Sequence, residues 1–494
     1  MLAMKSGYVL AIDQGTTGST ALLVDHDLNV IASENVEFPN IFPQPGWVEH
    51  DSAAIWSSVE QCVSRALNAA DIDAGQVQAI GITNQRETSL FWDAATGEPL
   101  QNALVWQDRR TAERCEELKQ AGHEEMIREK TGLVIDPYFS ATKAEWMLQE
   151  NPGASEKAEK GELLFGTIDS WLTWRLCGVH VTDTSNASRT MLFNIHSGDW
   201  DPELLALFSV PAACLPSVED SSKVYGHTRG VGFLPDGIPV AGLIGDQQGA
   251  LFGQACFEPG MAKCTYGTGG FVLLNTGNKP VNSQHGMLTT VAWRIDGKLC
   301  YAVEGSAFVA GAAVQWLRDE LQIIDSAPEI EALATSVPNS DGVVFVPALA
   351  GLGAPHWRPE ARGMISGITR GTTRAHIARA TLDGIALQIA EIVESMGRDF
   401  GTAVSELRVD GGAARNDFLV QLQADLLELL CVRPVVLETT AMGSVLLAGL
   451  AVGFWSSREE VAGAWRESQR FIPDTGRPEL AEMRERWSRA VRVA

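Results

Sequence analysis

Residues 8–12 are apolar and stop at Asp13; a Gly-Thr turn follows at Gly15-Thr16-Thr17-Gly18, and a second strand at 20–24 is apolar from Ala21 on. A second turn over 25–29 leads into residues 30–34, so the opening reads as three antiparallel strands. Asp51 is placed to N-cap a helix whose Ile55, Val59, Val63 and Leu67 recur at four-residue spacing on one buried face. A strand at 77–83 follows, and alternating strand and helix are expected as far as about Gly253.

The pattern then restarts. Residues 261–265, the turn Gly267-Thr268-Gly269-Gly270 and residues 271–275 repeat strand, Gly-Thr turn and strand. A hairpin is predicted from 288–293 and 298–303 around Asp296-Gly297, and a long helix over 373–401 with Ile377, Ile385, Ile389, Ile392 and Met396 on one side. A strand at 407–410 runs into Gly411-Gly412 and another helix. Two halves with the same opening predict a duplicated α/β architecture with a cleft between domains 1–254 and 255–494, divided near the loop Glu258-Pro259-Gly260.

At 494 residues the chain is long enough for two or three cores, and 45% hydrophobic content supplies them. A net charge of −24 argues against nucleic acid or an anionic membrane surface as partner. The eight cysteines form no CxxC and the nine histidines no HExxH, so neither a zinc site nor a disulfide framework is expected. The N-terminal apolar run is too short for a signal peptide and the stretch 441–455 too short for a membrane span, so a cytoplasmic location is expected.

No GxxxxGK[ST], GxGxxG or HRD…DFG set occurs. The two Gly-Thr turns are the candidates to hold phosphate, because glycine admits a close backbone approach and successive N–H and threonine O–H groups donate to phosphate oxygens. Each alone reads more readily as a plain tight turn; two at matching places favour the phosphate reading. Asp13, ending a strand beside the first turn, is suited to Mg²⁺. Asp246, after the apolar residues 239–244 and before a small-residue helix, is suited to act as general base or, more blandly, as a helix cap.

Longer blocks carry a resemblance. AIDQGTT at 11–17, PGWVEHD at 45–51, GITNQRET at 81–88, TGLVIDPYFS at 131–140, NASRTMLFNIH at 186–196 and GDQQGALFGQ at 245–254 span the first half. MAKCTYGTGGF at 261–271, AGLGAPHWRPEARG at 350–363 and RVDGGAARNDF at 408–418 span the second. Over essentially its full length the chain resembles the FGGY carbohydrate kinase family. The resemblance implies two actin-like, ribonuclease H-like domains with a nucleotide- and substrate-binding cleft, and ATP- and Mg²⁺-dependent phosphorylation of a small polyol, glycerol first, with another polyol or a ketose as alternative. An actin-like ATP switch without acceptor is the alternative from a different class. It further implies an acceptor site of Arg86, Glu87, Trp106, Tyr138, Asp246, Gln247 and Phe271, with Asp246 as base. It implies ATP/ADP contacts from Thr16, Thr17, Thr268, Gly311, Gln315, Gly412 and Asn416. Asp13 and Asp246 are the expected metal carboxylates, and a homo-oligomer, dimer or tetramer, is expected.

Three departures stand out. Where the family continues Thr-Thr-Ser-Ser-Arg, this chain reads Thr16-Thr17-Gly18-Ser19-Thr20, so a phosphate-directed cation is missing and weaker ATP binding is expected unless Arg415 substitutes. The stretch 229–236 keeps only part of a basic glycine-rich loop that binds a sugar bisphosphate in some relatives. His227 does not align with the histidine that other relatives phosphorylate, so neither control is expected.

Overall fold

Both predicted turns are hairpins. Across the first, Asp13 pairs with Thr20 and Gln14 with Ser19, and the Gly15 N–H donates to the Gly18 carbonyl at 2.8 Å. Across the second, Thr265 pairs with Phe271 and Tyr266 with Gly270. The computed structural model describes residues 7–494.

Each hairpin sits at the centre of a mixed sheet. The first sheet has the order Ser222–His227, Pro239–Gly245, Val77–Asn84, Tyr8–Gln14, Gly18–Val24, Val30–Glu37. Tyr8–Gln14 is antiparallel to its hairpin partner and parallel to Val77–Asn84, which is in turn parallel to Pro239–Gly245. The second sheet has the order Leu288–Ile295, Lys298–Ala307, Gly270–Gly277, Met261–Tyr266, Glu406–Asp410, Cys431–Pro434, Glu467–Phe471. Met261–Tyr266 repeats the central role, antiparallel to Gly270–Gly277 and parallel to Glu406–Asp410. The predicted hairpin around Asp296-Gly297 is present and supplies the two outermost strands on one side.

Asp51 caps helix Ser52–Ala70 by accepting from the Ala53 N–H, and Ile55, Val59, Val63 and Leu67 are buried. The long helix runs Arg374–Phe400, started by a Thr373/His376 capping box and stopped by Gly401 in the left-handed region. Its Ile385, Ile389, Ile392 and Met396 are buried, while Ile377, in its first turn, is half-buried.

The first half departs from simple alternation. Residues 112–159 are four helices, Ala112–Gln120, Glu124–Thr131, Ser140–Glu150 and Ala154–Glu159. They accompany a small antiparallel sheet of Glu49–His50, Ala103–Leu104, Ser89–Asp93 and Leu163–Thr167. Strands Ser89–Asp93 and Leu163–Thr167 pair across those helices, a long-range closure that local periodicity does not reveal. After Gly411 the chain makes a 3₁₀ turn, Gly412–Arg415, before helix Asp417–Leu427 begins.

Helix Thr439–Ala451, from the second half, lies on the sheet of the first. An added Cβ at Gly81 would stand 2.2 Å from the Ser444 carbonyl oxygen, and one at Gly242 2.7 Å from the Ala448 nitrogen. Helix Asp246–Gly253 crosses it at backbone distance, since a Cβ at Gly443 would meet the Gly249 oxygen at 2.0 Å. One apolar cluster therefore joins Val9, Ala11 and Ile244 with Leu273, Trp293, Val445 and Leu447. Among the described residues no helix is long and apolar enough to cross a membrane.

Candidate active site

Strand Val77–Asn84 delivers the chain into a tight loop at 85–88. The Gln85 N–H donates to the Gln14 carbonyl at 2.7 Å, and Thr88 N–H to the Arg86 carbonyl at 2.7 Å. Glu87 takes a left-handed φ of 62°. A non-glycine residue held there costs about 1–3 kcal/mol and persists only where its surroundings fix it. The Ser140 hydroxyl does so, donating to the Glu87 carbonyl at 2.8 Å.

Arg86 and Glu87 are both nearly inaccessible, so their charges need partners. The Arg86 fork donates to both oxygens of Glu304, Nη1 to Oε2 at 2.5 Å and Nη2 to Oε1 at 2.8 Å. Its Nε lies 3.1 Å from Asp246 Oδ1. Glu87 Oε1 accepts from Arg189 Nε at 2.6 Å. Burial works against the Arg86 cation, but Glu304, Glu87, Tyr138 and Asp246 outweigh it and hold Arg86 well above the ordinary range. Burial likewise opposes the charge on Glu304, yet Arg189 and Arg86 hold it down to about 2. For Glu87 burial wins over both arginines and pushes the carboxyl up.

Asp246 opens helix Asp246–Gly253, with Gly245 in the cap position, and is partly exposed. The Gln247 N–H donates to Asp246 Oδ1 at 2.6 Å. Behind it the buried Lys263 ammonium donates to Gln247 Oε1 at 2.5 Å and to Thr265 Oγ1 at 2.9 Å. Burial lowers the Lys263 pKa against the opposing pull of Asp410.

Asp13 is pushed up to about 7, by burial first and by the Asp246 charge second. Two mutually repelling carboxylates, Asp13 at the first hairpin and Asp246 at its helix start, suit a divalent cation, which would relieve that repulsion. No group of three or more His, Cys, Asp or Glu side chains able to hold a metal occurs among the described residues. A pair of carboxylates fits Mg²⁺, which binds through one or two of them together with phosphate oxygens and water.

The aromatic residues meet the same place. Trp106 and Tyr138 pack edge to face with centroids 5.5 Å apart, and Arg189 lies 5.5 Å over the Tyr138 ring. Burial raises the Tyr138 phenol, so it stays neutral and can both donate and accept. Trp106 Nε1 donates to Thr16 Oγ1 at 2.9 Å, tying a residue expected at the acceptor to the first Gly-Thr hairpin and leaving the Thr16 proton for another acceptor. Phe271 is half-buried. Its strand partner is Ser306, two residues from Glu304, so Phe271 and Glu304 share a face of the second sheet.

The residues expected at the nucleotide are built differently. Thr17 and Thr268 are exposed; the Thr268 carbonyl accepts from Ala310 N at 2.8 Å and the Gly267 carbonyl from Gly311 N at 2.9 Å. A side chain at Gly311 would strike the Gly267 oxygen at 2.5 Å. Gln315, one turn further on the same helix face, is exposed. Gly411 has φ 84°, and a Cβ there would meet Tyr266 backbone atoms at 2.6–3.0 Å, whereas at Gly412 it would meet nothing within 4 Å. Gly412 thus offers bare backbone to open space. Asn416 caps helix Asp417–Leu427, its Oδ1 accepting from Leu419 N at 2.8 Å, so a ligand contact would fall to its Nδ2. Thr20, facing Asp13 in register, accepts from Asn35 Nδ2 at 2.9 Å.

Arg189, Glu304, Lys263, Gln85 and His50 escape sequence reasoning. Gln85 bridges Gln14, Gly15 and Thr88, and His50 joins Gln85 to Asn40. Arg189 and Lys263 lie inside resembling blocks, the one signal that marks them, while Glu304 lies in none. A large cavity of about 820 Å³ lies elsewhere, between residues 338–345 and helices Arg374–Phe400 and Glu479–Val493, and includes none of the expected site residues.

Comparison with known proteins agrees along the whole chain. The N-terminal domain of the FGGY family of carbohydrate kinases matches residues 8–253 and its C-terminal domain residues 262–452. The glycerol kinase of Myxococcus xanthus is 56% identical over 495 residues, covering 99% of this chain and 100% of that protein. Glycerol kinase 2 of Thermotoga maritima is 57% identical over 486 residues, 98% of each chain. The crystal structure of Plasmodium falciparum glycerol kinase with ADP superposes with a TM-score of 0.91 at 36% identity, covering 99% of this chain and 98% of that one. The chain belongs to the FGGY family of carbohydrate kinases.

Proposed function

We propose that this protein transfers the γ-phosphoryl group of ATP to a terminal hydroxyl of glycerol, giving sn-glycerol 3-phosphate and ADP. The observation that carries the reading is the carboxylate of Asp246, held 3.1 Å from Arg86 Nε, with Glu87 linked to the same guanidinium, Arg189 linked to Glu87, and the Trp106–Tyr138 pair against Arg189. Glycerol needs several hydrogen-bonding partners around a small apolar skeleton. Arg86 donates, Glu87 and Asp246 accept, Gln247 and Tyr138 can do both, and Trp106 and Phe271 cover C–H faces. The relatives above that are named glycerol kinases, more than half identical over nearly all of the chain, support glycerol over a larger acceptor.

The Asp246 carboxylate meets Arg86 Nε and the Gln247 N–H through Oδ1, which leaves Oδ2 to receive the hydroxyl proton. An alcohol is too weak an acid to ionise beforehand, so the proton moves late, as the new P–O bond forms and the bond to the ADP leaving oxygen breaks. Thr16 and Thr268, with the hairpin N–H groups, hold the phosphates. Gly311, Gln315, Gly412 and Asn416 receive the nucleoside. When bound, Mg²⁺ supplies charge neutralisation at the phosphates, with Asp13 and Asp246 as its protein carboxylates. Reliance on ATP supports a cytoplasmic setting, and the family resemblance supports a dimer or tetramer.

Product analysis tests the reading. With Mg-ATP and glycerol, ³¹P NMR should show one new phosphate monoester that co-resonates with sn-glycerol 3-phosphate. Release of inorganic phosphate alone, unaffected by glycerol, would identify an ATP switch instead.

A further inference from the structure

Two of the residues expected to grip the acceptor, Arg86 and Glu87, do not stand alone. Each is locked by an oppositely charged side chain from a distant part of the chain, and those two partners also face each other. Glu304 takes the Arg86 fork through both oxygens. Arg189 Nε holds Glu87 at 2.6 Å, and its Nη2 lies 3.3 Å from Glu304 Oε1. Arg86 Nε closes the circuit 3.9 Å from Glu87. All four side chains have 2% exposure or less.

This arrangement is expensive if its only role is stability, because buried ion pairs lose in desolvation much of what they gain from attraction. Two further features show geometry being enforced. Neither Nη1 nor Nη2 of Arg189 has a hydrogen-bond partner, Nη2 meeting Glu304 only as an ion pair, so this guanidinium is kept in place without full satisfaction. Glu87 is held at positive φ beside it. Glu304 comes from strand Lys298–Ala307 of the second sheet, whereas Arg86 and Arg189 belong to the first half, so the circuit spans both. Hydrogen bonds brace the junction around it, with Gln248 reaching both Arg86 and Thr290, and Ser188 also meeting Thr290.

We propose that Glu304, assisted by Arg189, is a positioning residue that sets the acceptor site of this kinase. By occupying the Nη1 and Nη2 ends of Arg86 it turns Nε toward Asp246 and the acceptor, and through Arg189 it fixes the Glu87 carboxylate as an acceptor for a hydroxyl. The second half thereby contributes to acceptor recognition through a residue that need not touch the acceptor. The inference rests on the glycerol-phosphorylating reading of the site, and its effect falls on acceptor binding, not on the nucleotide.

The test is Glu304→Gln, which keeps shape and removes charge, with Glu304→Asp, which keeps charge but withdraws the carboxylate by one methylene. Wild-type turnover that depends on glycerol establishes the underlying reading; without it that reading fails independently of Glu304. Given such turnover, both variants should raise the glycerol KM at least about tenfold, Gln more than Asp, with the Mg-ATP KM changed less than about twofold. The rise in melting temperature caused by glycerol should shrink in both, while the rise caused by Mg-ADP persists. If Glu304→Gln fails to fold, the same two readouts on Glu304→Asp decide. A folded variant with the wild-type glycerol KM, or one whose glycerol and nucleotide parameters shift equally, overturns the assignment.

Discussion

The proposed acceptor side and the proposed nucleotide side of this site are made of different materials. Around Arg86 and Glu87 the framework is a circuit of buried charged side chains, closed by Glu304 and Arg189, and the geometry exists before any ligand arrives. Around Thr268, Gln315 and Gly412 the surface is exposed hydroxyl, amide and bare backbone, shaped mainly by what glycine permits. A small neutral triol offers little binding area, so discrimination among polyols has to come from fixed polar partners that penalise a missing hydroxyl. A nucleotide brings its own charge and area, and a backbone cradle suffices for it. Trp106 joins the two regimes through its N–H to Thr16.

Substitutions on each side should separate these regimes. The largest effect is expected where both meet: Asp246→Asn should lower kcat by about 10²–10⁴ with the fold retained, measured by steady-state ADP release beside circular dichroism. Near-normal turnover would remove Asp246 from the base role. Next, Gly411→Ala forces a Cβ into the Tyr266 backbone at positive φ. It should cost about 2 kcal/mol or more of stability and raise the ATP KM, while glycerol affinity in the surviving folded fraction stays near wild type. An equal loss of glycerol affinity would mean that the two sides are not separable.

Smaller and of opposite sign is Thr20→Arg. Arginine facing Asp13 in register restores the cation that resembling kinases carry, and a charge-assisted phosphate contact should lower the ATP KM by about tenfold. Smallest is His50→Gln, at the base of the loop that links the two sides. Burial drives the His50 pKa down to about 4 despite the Thr16 backbone contact. Between pH 6.5 and 4 the unfolded chain therefore binds the proton that the folded one refuses, and stability falls with falling pH by roughly 1 kcal/mol per unit from this group. The Asp13 and Asp169 carboxyls, pushed up to about 7, oppose that slope, so the contribution shows as a difference between variant and wild type in melting temperature from pH 7 to 5. Parallel curves would exclude it.

Much of this was legible in the sequence, for physical reasons that differ by region. The hairpins at Asp13–Thr20 and Thr265–Phe271, the Asp51 cap and the long helix announce themselves through local periodicity and turn chemistry, which act over a few residues. Arg86, Glu87 and Asp246 lie inside long blocks that resemble a family. Their counter-ions do not follow from local pattern: Glu304 is 218 positions from Arg86, and nothing in residues 298–307 distinguishes a buried ligand of arginine from a solvated strand-edge glutamate. Helix Thr439–Ala451 reads as an apolar run, but its place on the first sheet depends on glycines at 81, 242 and 249, more than 180 residues earlier. Asn416 shows the converse, since a residue expected at the nucleotide also caps a helix.

The most direct test of the central claim compares kcat/KM for glycerol, 1,2-propanediol, erythritol and xylulose at saturating Mg-ATP, with ADP release in the absence of acceptor as baseline. A preformed set of polar partners predicts glycerol preferred over 1,2-propanediol by about 10³ or more, over erythritol and xylulose by a similar margin, and negligible baseline hydrolysis. Comparable rates for all acceptors, or hydrolysis indifferent to them, would contradict it.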